Sequence, residues 1–195
     1  MSSQMMNDDE IHPDFQQEWC LNILRDSSVV IIPQRIDPQS SGGNERVSNS
    51  MFEYTLYSER GIRAHLLLQR PCSEPDSILP TEDCMLISIG DGLDGKAGRA
   101  HGGFNALILD QISGGLAHRA RPVRIPPATA TITIDYKAPI STPAVILLRA
   151  WAYELVGRKI WVKGVIEDEN GKLLASSKSL FIYARESDFE ALEKL

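Results

Sequence analysis

The chain has 195 residues and a formal net charge of −6 at pH 7, from 20 Lys and Arg against 26 Asp and Glu. Hydrophobic residues make up 43% and charged residues 24%, which is typical of one globular domain with enough apolar material for a core. The acidic balance argues against nucleic-acid and membrane-surface partners, because both of those surfaces are negatively charged. No apolar run approaches the roughly 18 residues of a membrane span. The three cysteines show no C-x-x-C spacing, which favours free thiols in a reducing, cytoplasmic location and no metal site.

Residues 1–50 are predicted to be an N-terminal extension that is partly disordered, and residues 51–195 are predicted to be the main domain. A polar start is followed by a short helix that begins at Pro13 and ends near Arg25. A short apolar run follows the helix, and the composition of Asp37–Asn49 is typical of a linker.

The main domain begins with a predicted β-hairpin, in which residues 52–59 and 62–69 flank the turn at Arg60-Gly61. Cys84–Ile89 is predicted to be a short strand, and the pattern over Gly102–Arg119 predicts a long helix that ends before a proline-rich link. Four further strands joined by short connections are expected to be antiparallel neighbours: Thr129–Tyr136, Ala144–Leu155, Arg158–Asp168 and Lys172–Ala184.

A single helix among antiparallel strands has to cover one face of their sheet. The order of elements therefore predicts an α+β fold in which five or six strands wrap around one long helix. Ser187–Leu195 is expected to add a short amphipathic helix at the end. An exposed edge strand would favour pairing with a second copy, so we expect a homodimer and allow for a tetramer.

The strongest functional signal lies in Gly98–His118. Gly102 and Gly103 stand where a loop becomes a helix, so that unpaired N–H groups and a partial positive charge lie at the helix start. Such a start can stabilise a carbonyl oxygen that gains negative charge, as an oxyanion hole does. A flexible entry into the helix is the alternative interpretation of the two glycines.

Asp110 is unusual for its position on this helix. Helical spacing assigns a broad apolar face to Phe104, Leu107, Ile108, Ile112 and Leu116. The spacing places Asp110 on another side, among the small residues Ala106, Ser113, Gly114 and Ala117. Small residues permit close approach of a ligand or of another backbone, although a mid-helix Asp is also compatible with a solvated surface.

These residues carry a resemblance to a known family. The chain resembles the hotdog-fold thioesterases, in particular the phenylacetyl-CoA thioesterase-like branch. The matching features are His101-Gly102-Gly103 at the helix start, Asp110 nine residues after the histidine, Thr129 at the start of a strand, Tyr136 and Pro139 at its end, and Gly157-Arg158 before the next strand. The resemblance covers about residues 52–184 and implies the hotdog fold.

The resemblance also implies an activity, namely hydrolysis of an acyl thioester of coenzyme A or of a carrier protein, with no cofactor beyond the substrate's coenzyme A. It assigns the Gly102 N–H to polarising the carbonyl and Asp110, contributed across a dimer interface, to activating water or attacking directly. Thr129 would help to hold that water. Some relatives place an assisting amide six residues before the histidine, where this chain has Gly95.

Two alternatives remain open at the level of sequence. One is a hotdog dehydratase or other lyase that uses His101 as a base together with Asp110. The other is a non-catalytic acyl-CoA-binding module. Further candidates for substrate contact are Gly103, Phe104, Arg99, Lys137, Arg158 and Lys159, the last four because coenzyme A phosphates need cations.

A second glycine motif, Gly90–Gly95, matches G-x-G-x-x-G after a strand. A dinucleotide site needs a helix to begin within that motif and parallel strands around it. Because the predicted helix starts later and the following strands are antiparallel, the motif is interpreted as a tight loop.

Overall fold

The computed structural model of the protein describes residues 11–32, 50–123 and 125–185. Within these residues, helix α1 spans Glu18–Leu24 and helix α2 spans Gly102–Ala120. The strands are β1 (Val30–Ile32), β2 (Ile62–Pro71), β3 (Thr81–Ile89), β4 (Asp94–Lys96), β5 (Arg99–Ala100), β6 (Ala128–Tyr136), β7 (Ala144–Val156), β8 (Lys159–Glu167) and β9 (Leu173–Ile182).

Seven strands form one antiparallel sheet in the order β1-β2-β3-β7-β8-β9-β6, while β4 and β5 make a separate small hairpin. Helix α2 lies across one face of the large sheet and contacts β3 and β6 to β9. This arrangement confirms the predicted α+β hotdog class, but the large sheet has seven strands within the described residues where five or six were predicted. The predicted bounds of α2 and of the last four strands agree with the structure to within two residues.

The face that α2 buries is broader than the spacing analysis predicts. Leu109, Ser113 and Ala117 are fully buried, whereas Leu107 keeps partial exposure. The buried face extends to this side of the helix because Gly164 of β8 lies opposite it. A Cβ on Gly164 would lie 3.2 Å from both Leu109 Cδ2 and Ser113 Oγ. The stripe of small residues therefore serves in part for close packing of the helix on the sheet.

The opposite face of the sheet is covered by part of the predicted extension. Ile11, Phe15, Cys20 and Val29 form a second apolar cluster with side chains of β2, β3 and β7. Phe15 is fully buried there. The Asp14 carboxylate accepts a hydrogen bond from Ser88 Oγ at 2.5 Å, which adds a polar contact between this segment and β3.

The first half of the predicted hairpin is wrong. Residues 51–55 form a π-helical turn, and the β-type pairing of residues 50–61 with β2 is limited to one bridge between Tyr57 and Ile62. Phe52 is buried against the ring of His65, so its apolar side chain packs on the sheet without a strand of its own. The amide of Ile62 donates to Leu56 O at 2.7 Å, which closes a tight loop in place of a ladder.

The predicted neighbour relation of the last four strands is partly wrong. β7, β8 and β9 do form a meander, but β6 pairs with β9, and β7 lies between β3 and β8. The link between β6 and β7 pairs with β5: the Ala100 N–H donates to Ile140 O at 2.9 Å, and Arg99 forms a β-bridge with Ser141. Because of these contacts, β7 does not pair with β6 although the connection between them is short.

Three further expectations lie outside the described residues, namely the disordered start, the linker Asp37–Asn49 and the terminal helix Ser187–Leu195. Neither helix of the described ranges combines the length and the apolar character that crossing a membrane requires.

Candidate active site

The start of α2 is ordered by His101. His101 Nδ1 accepts a hydrogen bond from the Gly103 N–H at 2.9 Å, and His101 O accepts from the amides of Phe104 and Asn105. The Gly102 N–H has no acceptor among the described residues, and it is therefore available to an incoming oxygen. His101 thus acts as the N-cap of the helix.

This cap bears on the alternative role of His101 as a base. Because Nδ1 accepts a hydrogen bond, the neutral ring carries its proton on Nε2. In that tautomer the solvent side of the ring is a donor, which is unsuited to removing a proton from a substrate.

Tyr136 fixes the same helix start from the end of β6. Its hydroxyl donates to Gly102 O at 3.0 Å, and its ring lies 3.5 Å from the position that a Cβ on Gly102 would occupy. The sequence analysis identified Tyr136 as part of a motif but did not predict its hydrogen bond to Gly102 O. Gly95 also packs on the cap, since a Cβ there would lie 2.9 Å from His101 Cδ2. A side chain at position 95 would therefore crowd His101.

Asp110 and Thr129 lie together. Thr129 Oγ1 donates to Asp110 Oδ1 at 2.9 Å, so the carboxylate receives a hydroxyl donor from β6. Asp110 is half-buried and Thr129 is exposed. A carboxylate held by one hydroxyl and open to solvent is placed to accept a proton from a water molecule.

A β-bulge turns Thr129 towards Asp110. Thr131 pairs with Leu180 and Thr129 pairs with Phe181, so Ala130 is an extra residue in β6. Without the bulge, strict alternation would put Thr129 on the outer face of the sheet together with Thr131. The bulge moves Thr129 to the helix-facing side, where Phe181 also points into the core.

One chain does not bring the oxyanion donor and the carboxylate to the same carbonyl group. Gly102 and Asp110 are eight residues apart on α2, which is about 12 Å along the helix axis. A reacting carbonyl must lie about 3 Å from the oxyanion donor and close to the base-activated water. The two groups therefore do not meet at one carbonyl within a single chain.

The candidate cations divide between the two ends of α2. Arg99 and Lys137 are exposed near the helix start, although Lys137 pairs with Asp135 at 3.6 Å. Arg158 and Lys159 follow Gly157, whose carbonyl accepts from Arg121 at the C-terminal end of the helix. Arg158 donates to Tyr183 O at 2.7 Å, which gives it a structural contact.

Cys20 and Cys84 do not resemble nucleophiles. Burial raises the pKa of Cys20 to about 12, and burial likewise raises the pKa of Cys84 to about 12. Within the described ranges, no group of three or more His, Cys, Asp and Glu side chains could hold a metal ion. The Gly90–Gly95 motif does not open a helix that could hold a dinucleotide, since α2 starts only at Gly102. The predicted loop is a 3₁₀ turn at Asp91–Leu93 that leads directly into β4 at Asp94, and a Cβ on Gly90 would lie 2.6 Å from the Arg60 backbone.

His65 is a partly buried titratable group that the sequence offers no reason to select. Burial lowers its pKa to about 4, and Tyr57 Oη lies 3.0 Å from its Nδ1. One histidine in a mostly apolar strand does not indicate, from the sequence alone, that its pKa is lowered or that a tyrosine lies beside it.

Comparison with known proteins connects these residues to a family. Residues 97–175 match the family model of the thioesterase superfamily, and this range contains His101, Gly102, Asp110, Thr129 and Tyr136. The segment before residue 97, including α1 and β1 to β3, lies outside the match.

Two curated relatives are similar to part of the chain. The acyl-coenzyme A thioesterase THEM4 of Rattus norvegicus is 34% identical over 91 residues, 46% of this chain and 38% of the relative. The protein of that name from Xenopus laevis is 26% identical over 133 residues, 67% of this chain and 50% of the relative. The chain thus spans half or less of the length of these relatives.

A solved structure supports the fold alone. The crystal structure of zebra fish thioesterase superfamily member 2 superposes with a TM-score of 0.50 at 17% identity, covering 60% of this chain and 81% of that chain.

Proposed function

We propose that this chain is a member of the thioesterase superfamily, whose family model matches residues 97–175, and that it hydrolyses an acyl thioester to a free acid and a thiol. The observation that carries the proposal is the Asp110 carboxylate, which accepts a hydrogen bond from Thr129 on an edge strand, in a fold whose helix start leaves the Gly102 N–H unpaired. The similarity to named acyl-coenzyme A thioesterases supports coenzyme A as the thiol.

The reaction needs a homodimer, because the two groups lie too far apart in one chain. β6 is at the edge of the sheet, with Thr129 at one end beside Asp110 and Tyr136 at the other end beside Gly102. Antiparallel pairing of two β6 strands about a two-fold axis would bring Thr129 alongside the partner's Tyr136. Asp110 would then approach the partner's Gly102, and two equivalent sites would form.

In each site Asp110 takes a proton from water while the water oxygen attacks the thioester carbonyl. Negative charge develops on the carbonyl oxygen and is stabilised by the Gly102 N–H at the positive end of α2. The carbon–sulfur bond then breaks and the thiolate leaves, since a thiol with a pKa of about 8.5 needs little assistance. The proton held by Asp110 restores the thiol. Water supplies the oxygen of the acid, so no further cofactor takes part.

Other parts of the proposal concern the surroundings of the site. Arg99 and Lys137 are the cations near the helix start and are proposed to contact coenzyme A phosphates. The three cysteines are all free, which supports a cytoplasmic location.

The test is to incubate the full chain with acetyl-, octanoyl-, palmitoyl- and phenylacetyl-CoA and to quantify free acid and free CoA by chromatography. Asp110→Asn is run in parallel, with its oligomeric state measured. We expect release of acid by the natural protein and its loss in a folded Asp110→Asn protein. Tight binding without release would contradict hydrolysis and favour a binding module, and a dehydrated acyl product would favour the lyase.

A further inference from the structure

An apolar groove of about 480 Å³ opens beside the start of α2. Part of its lining comes from Leu93, Phe104 and Leu107, which belong to the helix and to the loop before it. Met51 and Leu56 complete the apolar lining, and both lie outside the range that matches the family model. Met51 is 53% exposed, so its apolar side chain faces solvent.

The groove is continuous with the candidate active site. His101 and Gly103, the two neighbours of Gly102, also line it. A thioester whose carbonyl is held by the Gly102 N–H therefore has one of its two arms directed at this groove. Which arm fits is decided by the polar groups available there.

The Asp94 carboxylate and the Nδ1 atom of His101, which lie in this lining, already have partners. Asp94 accepts hydrogen bonds from the Gly98 N–H at 2.7 Å and from the Thr142 hydroxyl, and His101 Nδ1 accepts from Gly103. The pantetheine arm of coenzyme A carries amides, which would lose hydrogen bonds in an apolar groove. An alkyl or aryl chain loses none and gains burial against the apolar lining.

We propose that this groove holds the acyl group and that Met51 and Leu56 limit its length, an inference that rests on the proposed hydrolysis. The length preference is thus set by the segment before β2 and not by the segment that matches the family model.

The segment that carries these two residues is fixed to the sheet. Phe52 is buried and its ring meets the ring of His65 edge-on, with centroids 5.0 Å apart. Tyr57 contacts His65 on its other side at 3.0 Å, and Leu56 N donates to Met51 O at 3.0 Å. A lining held in this way can discriminate between chain lengths, since its position does not depend on the substrate.

The first test compares kcat/KM for octanoyl-CoA with kcat/KM for acetyl-CoA. A bulky side chain in the groove should reject the longer chain, so Met51→Trp is expected to lower the octanoyl-to-acetyl ratio about tenfold. Met51→Ala enlarges the groove and should raise the ratio of palmitoyl-CoA to octanoyl-CoA. The matched control is Tyr54→Ala, which changes an exposed residue of the same π-helical turn outside the groove and should leave both ratios unchanged.

A second readout does not depend on hydrolysis. S-octyl-CoA and S-ethyl-CoA are thioethers that cannot be cleaved, and their dissociation constants can be measured calorimetrically. Met51→Trp should weaken S-octyl-CoA relative to S-ethyl-CoA about tenfold. If this shift occurs while the natural protein cleaves no thioester, the groove is supported and the hydrolysis proposal fails. If hydrolysis occurs and neither Met51 variant changes a chain-length ratio, the groove proposal is overturned.

Discussion

Replacing Gly102 with proline removes one hydrogen-bond donor from the candidate site and little else. Gly102 is the first residue of α2, where proline is tolerated because its missing N–H has no partner within the helix. The preceding residue, His101, has φ −64° and ψ 137°, which is the extended conformation that a following proline requires. Gly102→Pro should therefore keep the fold and lose the oxyanion donor.

The expected loss is large. Removal of one oxyanion-hole donor costs about 100- to 1,000-fold in kcat, or about 3–4 kcal/mol of transition-state stabilisation. Gly102→Ala is the matched control, because it keeps the N–H and its Cβ would lie at an ordinary contact distance of 3.5 Å from the Tyr136 ring. We expect Gly102→Ala to lose far less activity than Gly102→Pro.

The assay is steady-state hydrolysis of the preferred acyl-CoA, with circular dichroism and sedimentation to confirm that fold and assembly are retained. Near-natural activity of a folded Gly102→Pro dimer would refute the role of this N–H. Equal losses in the proline and alanine variants would also refute it, since they would point to crowding of Tyr136 as the cause.

Three further predictions test other parts of the account. Thr129→Val should lower kcat about tenfold, because a hydrogen bond to a charged group contributes about 1.5–3 kcal/mol and this one is partly solvated, while Thr129→Ser should retain most of the rate. Phe15→Ala should lower the free energy of unfolding by about 3–5 kcal/mol in urea titrations, because Phe15 is fully buried. The control, Asn22→Ala on the exposed side of the same segment, should change it little. Equal free energies of unfolding for the two variants would show that this segment does not contribute to the folded unit. Because the pKa of His65 is lowered to about 4, this side chain takes up a proton below about pH 6.5 in the unfolded chain but only near pH 4 in the folded chain. The free energy of unfolding should therefore be full above pH 6.5 and fall by about 2–3 kcal/mol towards pH 4. His65→Gln should remove that part of the pH dependence, and an unchanged pH profile would contradict the assignment.

The parts of the fold that the sequence predicts well are those with local signals. Helical periodicity and the following prolines predict α2 to within one residue of Ala120, and strict alternation predicts β6 from Thr129 to Tyr136. The same local patterns do not determine which strands become neighbours. That choice depends on long-range contacts, such as the bond between Ala100 and Ile140 that draws the chain away from β6.

The candidate site shows the same division. The glycines and Asp110 are conspicuous in the sequence because their residue types are unusual for their positions. The bulge at Ala130 is not visible in the sequence, since alanine is compatible with a regular strand. The bulge nevertheless decides whether Thr129 reaches Asp110. The groove residue Met51 is equally inconspicuous, because the π-helical turn that presents it forms only by packing Phe52 on the sheet.

The measurement that tests the central claim most directly is subunit complementation. Asp110→Asn and Gly102→Pro chains are purified separately, mixed under conditions that exchange subunits, and assayed for acyl-CoA hydrolysis. In a mixed dimer, one site combines Asp110 of one chain with the partner's Gly102, and both of these residues are natural. Because half of the dimers at equilibrium are mixed and each has one intact site, recovery of about a quarter of the natural activity is predicted. Absence of recovery when mass spectrometry shows that mixed dimers have formed would contradict a site assembled from two chains.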